Sequence, residues 1–461
     1  MLRKRMSHPT DSITEGVIWR PLLVFFFPIL LGSFFQQLYN TVDAMIVGKF
    51  VGKEALAAVG GATSTMINLI VGFFLGLSSG ASVIVSQYYG ARRDKEVSDT
   101  VHTAMALAVV GGAVLTVVGY LWSPTLLRLM GTPEAVMGYA TDYISIYFLG
   151  TIPSMIFNIG SGILRAVGNS RRPLMFLVSA CFVNIVLDVI FVIGLEMGTA
   201  GAAIATILSQ GVCAVLVLVT LCRSSLSYRL ELRRIRFHGA ILRRTVQIGL
   251  PAGLQSVMYS LSNVIIQAAV NGFGTDVLAA WTAYGKMDGL FWMTISAFGV
   301  AITTFAGQNF GAQRYDRMKR SVRVCLALSA GTTLGMSAIL LLFARPLLSL
   351  FANEAEVLDI GMTIIRTLVP TYITYLCIEI LSGAVRGAGD SVIPTLMTLF
   401  GVCILRVIWV MGVCPQFNSL LMVLYSYPIT WVITSLMFII YYWKAPWLKR
   451  CIRKAGFAGE G

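Results

Sequence analysis

Charge is scarce in this chain. Asp, Glu, Lys and Arg make up 12% of its 461 residues, about half of what a soluble protein of this size carries to cover its surface. That scarcity excludes a soluble enzyme, a nucleic-acid binder and a secreted domain. Histidine is scarcer still: His8, His102 and His238 lie near polar segments and far apart in sequence, which argues against a His-based metal site or catalytic base. The eight cysteines contain no CxxC pair and lie mostly inside apolar stretches, so they read as small buried hydrophobes without a disulfide framework. No HExxH-like motif is present, and no catalytic constellation for an enzyme emerges. Met1 to Arg20 lacks the apolar core of a signal peptide, so the first apolar segment is expected to be a true span.

What the chain has is apolar length. Hydrophobic residues make up 57% of it and its mean hydropathy is +0.79. Twelve apolar stretches are each long enough to cross ~30 Å of hydrocarbon: 22–45, 57–86, 101–122, 139–162, 174–194, 200–221, 245–270, 279–305, 322–344, 361–385, 393–414 and 420–443. The fold class expected is an all-α polytopic membrane protein. Twelve spans put both termini on one side of the membrane, and 28 of the 35 Lys and Arg residues fall on that side. The positive-inside bias makes that side cytoplasmic. The net charge of +14 therefore records topology rather than a nucleic-acid partner. Residues 223–244, with seven Arg, form a basic cytoplasmic connector between an N-terminal lobe, 1–222, and a C-terminal lobe, 245–443. A cytoplasmic tail, 444–461, follows.

The two halves are copies. Gln87-Tyr-Tyr-Gly90-Ala91-Arg-Arg-Asp94 recurs 221 residues later as Gln308-Asn-Phe-Gly311-Ala312-Gln-Arg-Tyr315. Arg165-Ala-Val-Gly168-Asn-Ser170 recurs at the same shift as Arg386-Gly-Ala-Gly389-Asp-Ser391, and Gly52 to Ala58 answers Gly274 to Ala280. These glycine-bearing loops read locally as helix-ending turns. Their ordered recurrence, with six spans per copy, makes the repeat parallel, an arrangement that recurs among transporters with a site between the halves.

Ionisable groups inside a membrane are costly and are functional candidates by default. Gln36, Tyr39, Asn40 and Asp43 follow i, i+3, i+4, i+7 and line one face of the first span, with Pro28 upstream as a point of weakness. Asn184 and Asp188 share a face of the fifth span. Thr206 lies in the sixth on a small-residue surface that includes Ala202 and permits close helix approach. At a shift of 223 the second-half partners of the first-span stripe are Tyr259, Ser262, Asn263 and Ile266. At 221 the partners of Asn184 and Asp188 are Leu405 and Trp409. Both acids are thus absent from the second copy, as expected if the first half carries a dedicated cation or proton site. Lys286, Asp288, Arg366, Glu379 and Arg406 are further intramembrane charges whose roles the sequence leaves open.

Taken together, the paired six-span halves, Asn40-Thr-Val-Asp43 followed by Ile46-Val47-Gly48, the Gly-Ala and Arg-x-x-Gly-x-Ser loops, and Asn184 with Asp188 resemble the multidrug and toxic compound extrusion (MATE) family over essentially the whole chain. The resemblance implies a V-shaped pair of lobes and export of organic, often cationic, drugs or toxic metabolites, driven by sodium or protons through alternating access. It implies a coupling-cation group of Asp43, Asn184, Asp188, Thr206 and Ala202 as in the DinF-like prokaryotic branch. Gln36, Tyr39 and Asn40 become cavity-lining and Pro28 a hinge. Other branches carry an acid in the seventh span, where this chain has Gln255. The implied location is the plasma (inner) membrane, with small organic substrates and lipid as partners, no nucleic acid, no cofactor beyond the coupling ion, and a monomer as the simplest state.

Two facing carboxylates repel in low dielectric, and a bound proton or sodium relieves that repulsion. Carboxylates with the Asn184 amide and the Thr206 hydroxyl make an all-oxygen shell suited to sodium. Sequence does not choose between the ions. A proton entering down ~100 mV gains about 2.3 kcal/mol and a pH unit adds about 1.4, enough for roughly 500-fold accumulation of a neutral solute. For a monovalent cation exchanged one for one the voltage terms cancel, leaving about tenfold per pH unit. The alternative, a lipid-linked oligosaccharide flippase of the same superfamily, calls for a strongly cationic cavity, whereas few cationic residues here fall within spans.

Overall fold

The computed structural model describes residues 11–351, 354–417 and 419–455. His8, the rest of the first ten residues and the end of the tail, 456–461, lie outside the described residues. Regular structure among the described residues is helical throughout. The first half contains α1 (Trp19–Phe50), α2 (Lys53–Gly90), α3 (Asp94–Leu129), α4 (Glu134–Leu149 and Thr151–Ala166), α5 (Arg171–Gly194) and α6 (Gly198–Cys222). The second contains α7 (Gly239–Asn271), α8 (Thr275–Gly311), α9 (Tyr315–Leu342), α10 (Ala355–Gly387), α11 (Val392–Phe417) and α12 (Leu420–Lys444).

Ten of these twelve are long and apolar enough to cross a membrane, and α4 makes an eleventh if its two pieces count as one span. Those pieces meet at 53°. Pro153 has no N–H for the Leu149 carbonyl, and the break falls at Gly150, where a Cβ would run into Ile207. The seventh segment, α7, is helical along its expected length but less apolar, because Gln255, Ser256, Ser260, Ser262, Asn263 and Gln267 interrupt it.

The duplicated motifs have a backbone reason. Arg92 and Gln313, 221 residues apart, both take a left-handed conformation, φ 56° and 57°, as do Gly168 and Gly389 at 93° and 99°. At each turn the next amide reaches back to close the helix end: Arg93 to Tyr88 O, Arg314 to Asn309 O, Asn169 to Leu164 O and Asp390 to Val385 O.

Two compact units emerge, one of Val24–Gly253 and one of Ser12–Leu23 with Leu254–Gly461. Within the first unit, the start of α7 packs on α2 through two glycine pairs four residues apart, Gly76/Gly80 and Gly249/Gly253. A Cβ on Gly249 would meet the Leu77 backbone, and one on Gly80 the Thr245 carbonyl, the close approach that a GxxxG surface permits. Arg244, just inside α7, donates to Gln87 Oε1 at 2.7 Å and to Tyr88 Oη at 3.3 Å. The basic connector is pinned to α3 as well: the Glu231 amide donates to His102 Nε2 at 3.1 Å, and His238 lies 3.0 Å from Thr103 Oγ1.

The second unit holds the segment that leads into α1 by the corresponding loop. Arg317 donates to the carbonyls of Ile13, Gly16 and Glu15 at 3.0, 2.7 and 2.8 Å, and Arg314 to that of Thr14 at 2.6 Å. Hydrogen bonds from a charged donor contribute about 1.5–3 kcal/mol each. Arg317→Ala is therefore expected to speed amide exchange across residues 13–18 by about tenfold or more. Unchanged exchange there would show that the leading segment is held by other contacts.

Candidate functional site

Four helices of the first unit each contribute residues one turn apart to a buried polar group. Tyr39 and Asp43 come from α1, Tyr143 and Tyr147 from α4, Asn184 and Asp188 from α5, and Thr206 and Gln210 from α6. Spacing of i, i+4 keeps each pair on one face, which points it inward from an otherwise apolar helix. Asn184 and Asp188 are fully buried, Asp43 is 4% exposed, and Tyr39 and Thr206 are each 6% exposed. Ala202, one turn before Thr206, is also fully buried, and its lack of a larger side chain lets α6 approach its neighbours.

The chemistry of the group lies in what its atoms do not bond. Asp43 Oδ1, both oxygens of Asp188, both amide atoms of Asn184, Thr206 Oγ1 and Gln210 Oε1 are buried without a hydrogen-bond partner in the protein. Buried polar atoms are almost always paired, and an unpaired one costs about 1–3 kcal/mol. Several in one place are tolerated when something else satisfies them. Asp43 and Asp188 act on one another electrostatically, and Tyr143 senses both. Around them Gln210 Nε2 donates to Tyr39 Oη at 3.3 Å, and the Tyr143 and Tyr147 rings stack 6.4 Å apart at 22°. Among the described residues no three His, Cys, Asp or Glu side chains converge as a metal cluster. The donors at this group are carboxylate, amide and hydroxyl oxygens, a set that fits a proton or a hard cation such as sodium and not a thiophilic metal.

The other candidates divide. Gln36 and Asn40 are exposed while Tyr39 and Asp43 on the same helix are buried. Pro28 sits within α1, four residues after Val24, where the chain passes from one compact unit to the other. In the second unit Lys286 and Arg366 are exposed. Asp288 accepts hydrogen bonds from Tyr372 at 2.6 Å, Trp292 at 2.7 Å and Tyr284 at 3.0 Å. Gln255 accepts from Thr395 at 3.4 Å, and Glu379 packs against Gly299, where a Cβ would collide with it. No ion pair joins Glu379, Arg366 or Arg406 among the described residues. Sequence reasoning passed over Tyr143, Tyr147 and Gln210, although the i, i+4 tyrosines of the fourth span were a visible signal.

A family model described as MatE matches residues 28–190 and again 251–411, once in each half. Probable multidrug resistance protein YoeA of Bacillus subtilis (strain 168) is 28% identical over 455 residues, covering 96% of this chain and 97% of that protein. A protein of Shewanella oneidensis named FAD transporter is 26% identical, over 76% of this chain and 77% of its own. A solved MOP-superfamily transporter from Pyrococcus furiosus has the same fold, with a TM-score of 0.88 at 22% identity, covering 95% of this chain and 98% of that one.

Proposed function

We propose, for a chain that belongs to the MatE family and is therefore a multi-pass membrane transporter and not an enzyme, that it exports small organic molecules in exchange for protons or sodium. The observation that carries this reading is the set of buried carboxylate, amide and hydroxyl atoms at Asp43, Asn184, Asp188 and Thr206 that have no partner in the protein. Two carboxylates at low dielectric need compensating positive charge. A proton or a sodium ion supplies it in one state of the cycle, and loss of that ion leaves a negative charge that draws a cationic substrate or drives the return. The alternation makes ion and substrate binding mutually unfavourable, and that coupling free energy is what antiport requires.

In this reading Asp43 and Asp188 hold the ion, Asn184 and Thr206 complete its oxygen shell, and Ala202 contributes nearby backbone. Gln36, Tyr39 and Asn40 face the substrate, and Pro28 lets α1 bend between states. The relatives are named for multidrug resistance and for FAD, which favours small organic cargo over a lipid-linked oligosaccharide. The chain works as a monomer in the plasma membrane. Reconstituted into proteoliposomes, it is expected to accumulate an organic cation dye against its gradient when a proton or sodium gradient is imposed, and not when both are collapsed. Accumulation independent of either gradient would contradict coupling.

The charge asymmetry of the loops supports an orientation with both termini in the cytoplasm. With Cys222 replaced by serine, a cysteine introduced between residues 224 and 237 is expected to resist an impermeant thiol reagent added to intact cells, whereas one at Thr275 reacts. The reverse pattern would overturn the orientation.

A further inference from the structure

The second unit carries a buried charge for which ion coupling has no use. Arg406 is 3% exposed. Its Nη2 donates to Thr430 Oγ1 at 3.1 Å, but its Nε has no partner, and among the described residues no carboxylate lies within ion-pair distance of it. Asp288, an acid of the same unit, is already held by two tyrosines and a tryptophan. The guanidinium lies 4.1 Å from the ring centroid of Tyr427 and 6.0 Å from that of Trp431. The Trp431 indole N–H is itself buried without an acceptor. Two unsatisfied donors, one of them charged, thus belong to one aromatic neighbourhood. Trp431 also packs 5.7 Å from Tyr375 and 6.3 Å from Trp292.

The internal repeat identifies what Arg406 replaces. Plain spacing pairs Asn184 and Asp188 with Leu405 and Trp409, yet both of these are only half-buried. In α11 the stretch Leu399–Ile404 is a π-helix, whereas α5 stays α-helical as far as Asp188. A π turn takes up one more residue than an α turn, which moves the correspondence from 221 to 222. Arg406 and Val410, 3% and 5% exposed, then stand where Asn184 and Asp188 stand. In α12 the burial pattern of α6 returns at 221, with Val423, Leu424, Ser426, Thr430 and Thr434 matching Ala202, Ala203, Ala205, Ser209 and Cys213. Tyr427 therefore takes the place of Thr206, and Trp431 that of Gln210. The second copy keeps the position of the acidic group and reverses its charge.

We propose that Arg406 forms an anion-recognition subsite in the second unit, which takes the carboxylate of an aromatic substrate. A planar guanidinium edge suits a carboxylate, and the surrounding rings suit a flat aromatic body. Among the described residues no second buried cation stands beside it, so a monoanionic or zwitterionic carboxylate matches it better than a doubly charged phosphate. That such a ligand is cargo rests on the transport reading above; that it binds at Arg406 does not.

The test is equilibrium binding to the purified full chain with three probes of one shape: 2-naphthoate, 2-naphthamide and 2-naphthylmethylammonium. The wild type is expected to bind the naphthoate about tenfold or more tightly than the amide. Arg406→Gln brings that ratio near one and leaves the ammonium probe unweakened. Should Arg406→Gln fail to fold, Arg406→Lys, which keeps the charge but lacks the planar two-donor edge, is expected to lower the ratio several-fold. A wild-type ratio near one, or a ratio unchanged by the variants, overturns the subsite. Flux of the ammonium probe in proteoliposomes from the same preparation reports separately on transport: its absence would sink the transport reading while the binding ratio still decides the subsite.

Discussion

Gradient-driven export is expected to fall at least tenfold in Asp188→Asn and in Asp43→Asn, within the roughly 5–150-fold that coupling between linked sites supplies, while the protein still folds and inserts. The amide nearly preserves the shape of the carboxylate and removes its charge. Because Asp188 is fully buried and Asp43 4% exposed, and because neutralising a buried charge lowers its desolvation cost, the melting temperature of each variant should stay level or rise. A residue needed only for packing would behave otherwise, with a mild transport loss in step with reduced stability. The check is substrate flux under an imposed gradient beside a melting curve for each variant. Near-normal flux in both variants would remove the assigned site.

The largest effect on folding is expected at the glycine seam between α2 and the start of α7. Gly249→Val puts three carbons where Gly249 now faces the Leu77 backbone. Backbone cannot rotate aside as a side chain can, so the cost exceeds the usual 1–3 kcal/mol of overpacking. Little folded, monodisperse protein should be recovered. Gly211→Ala, where a Cβ meets nothing within 4 Å, is expected to be neutral or stabilising by up to about 1 kcal/mol, and it controls for helix propensity. Normal recovery of Gly249→Val would mean that the α2–α7 packing is not needed for the first unit.

The fold was legible where composition and repetition decide it. Apolar runs located the helices, and the recurring Gly-Ala and Arg-x-x-Gly-x-Ser loops marked turns whose paired left-handed residues, Arg92 with Gln313 and Gly168 with Gly389, share their backbone angles. The 53° break in α4 is not legible, although Pro153 and Gly150 stand in the sequence, because a proline within an apolar run does not say whether the helix kinks or stops. At the site, the i, i+4 acids and amide of the first half were visible because polar residues are conspicuous on apolar helices. Tyr143 and Tyr147 share the i, i+4 spacing, but tyrosine is also common at membrane interfaces, and Gln210 is the lone amide of its helix, so none of the three separates from that background by residue type. The position of Arg406 was hidden by constant spacing: a π turn shifts a helix face by one residue without inserting anything the eye can align. Only burial, with Leu405 half-covered and Arg406 enclosed, shows which residue faces inward.

Antiport makes a reciprocal demand, and reciprocity is the most direct test of it. In proteoliposomes with no imposed ion gradient, an outward gradient of a transported organic cation should by itself drive protons or sodium inward. A pH-sensitive dye trapped inside the vesicles and radioactive sodium supplied outside, at equal sodium concentration on both sides, follow the two ions separately. The account predicts that one of them moves in the wild type, opposite to the substrate and in proportion to it, and that this movement disappears in Asp188→Asn. Substrate efflux with neither ion moving, or ion movement undiminished in Asp188→Asn, would contradict it.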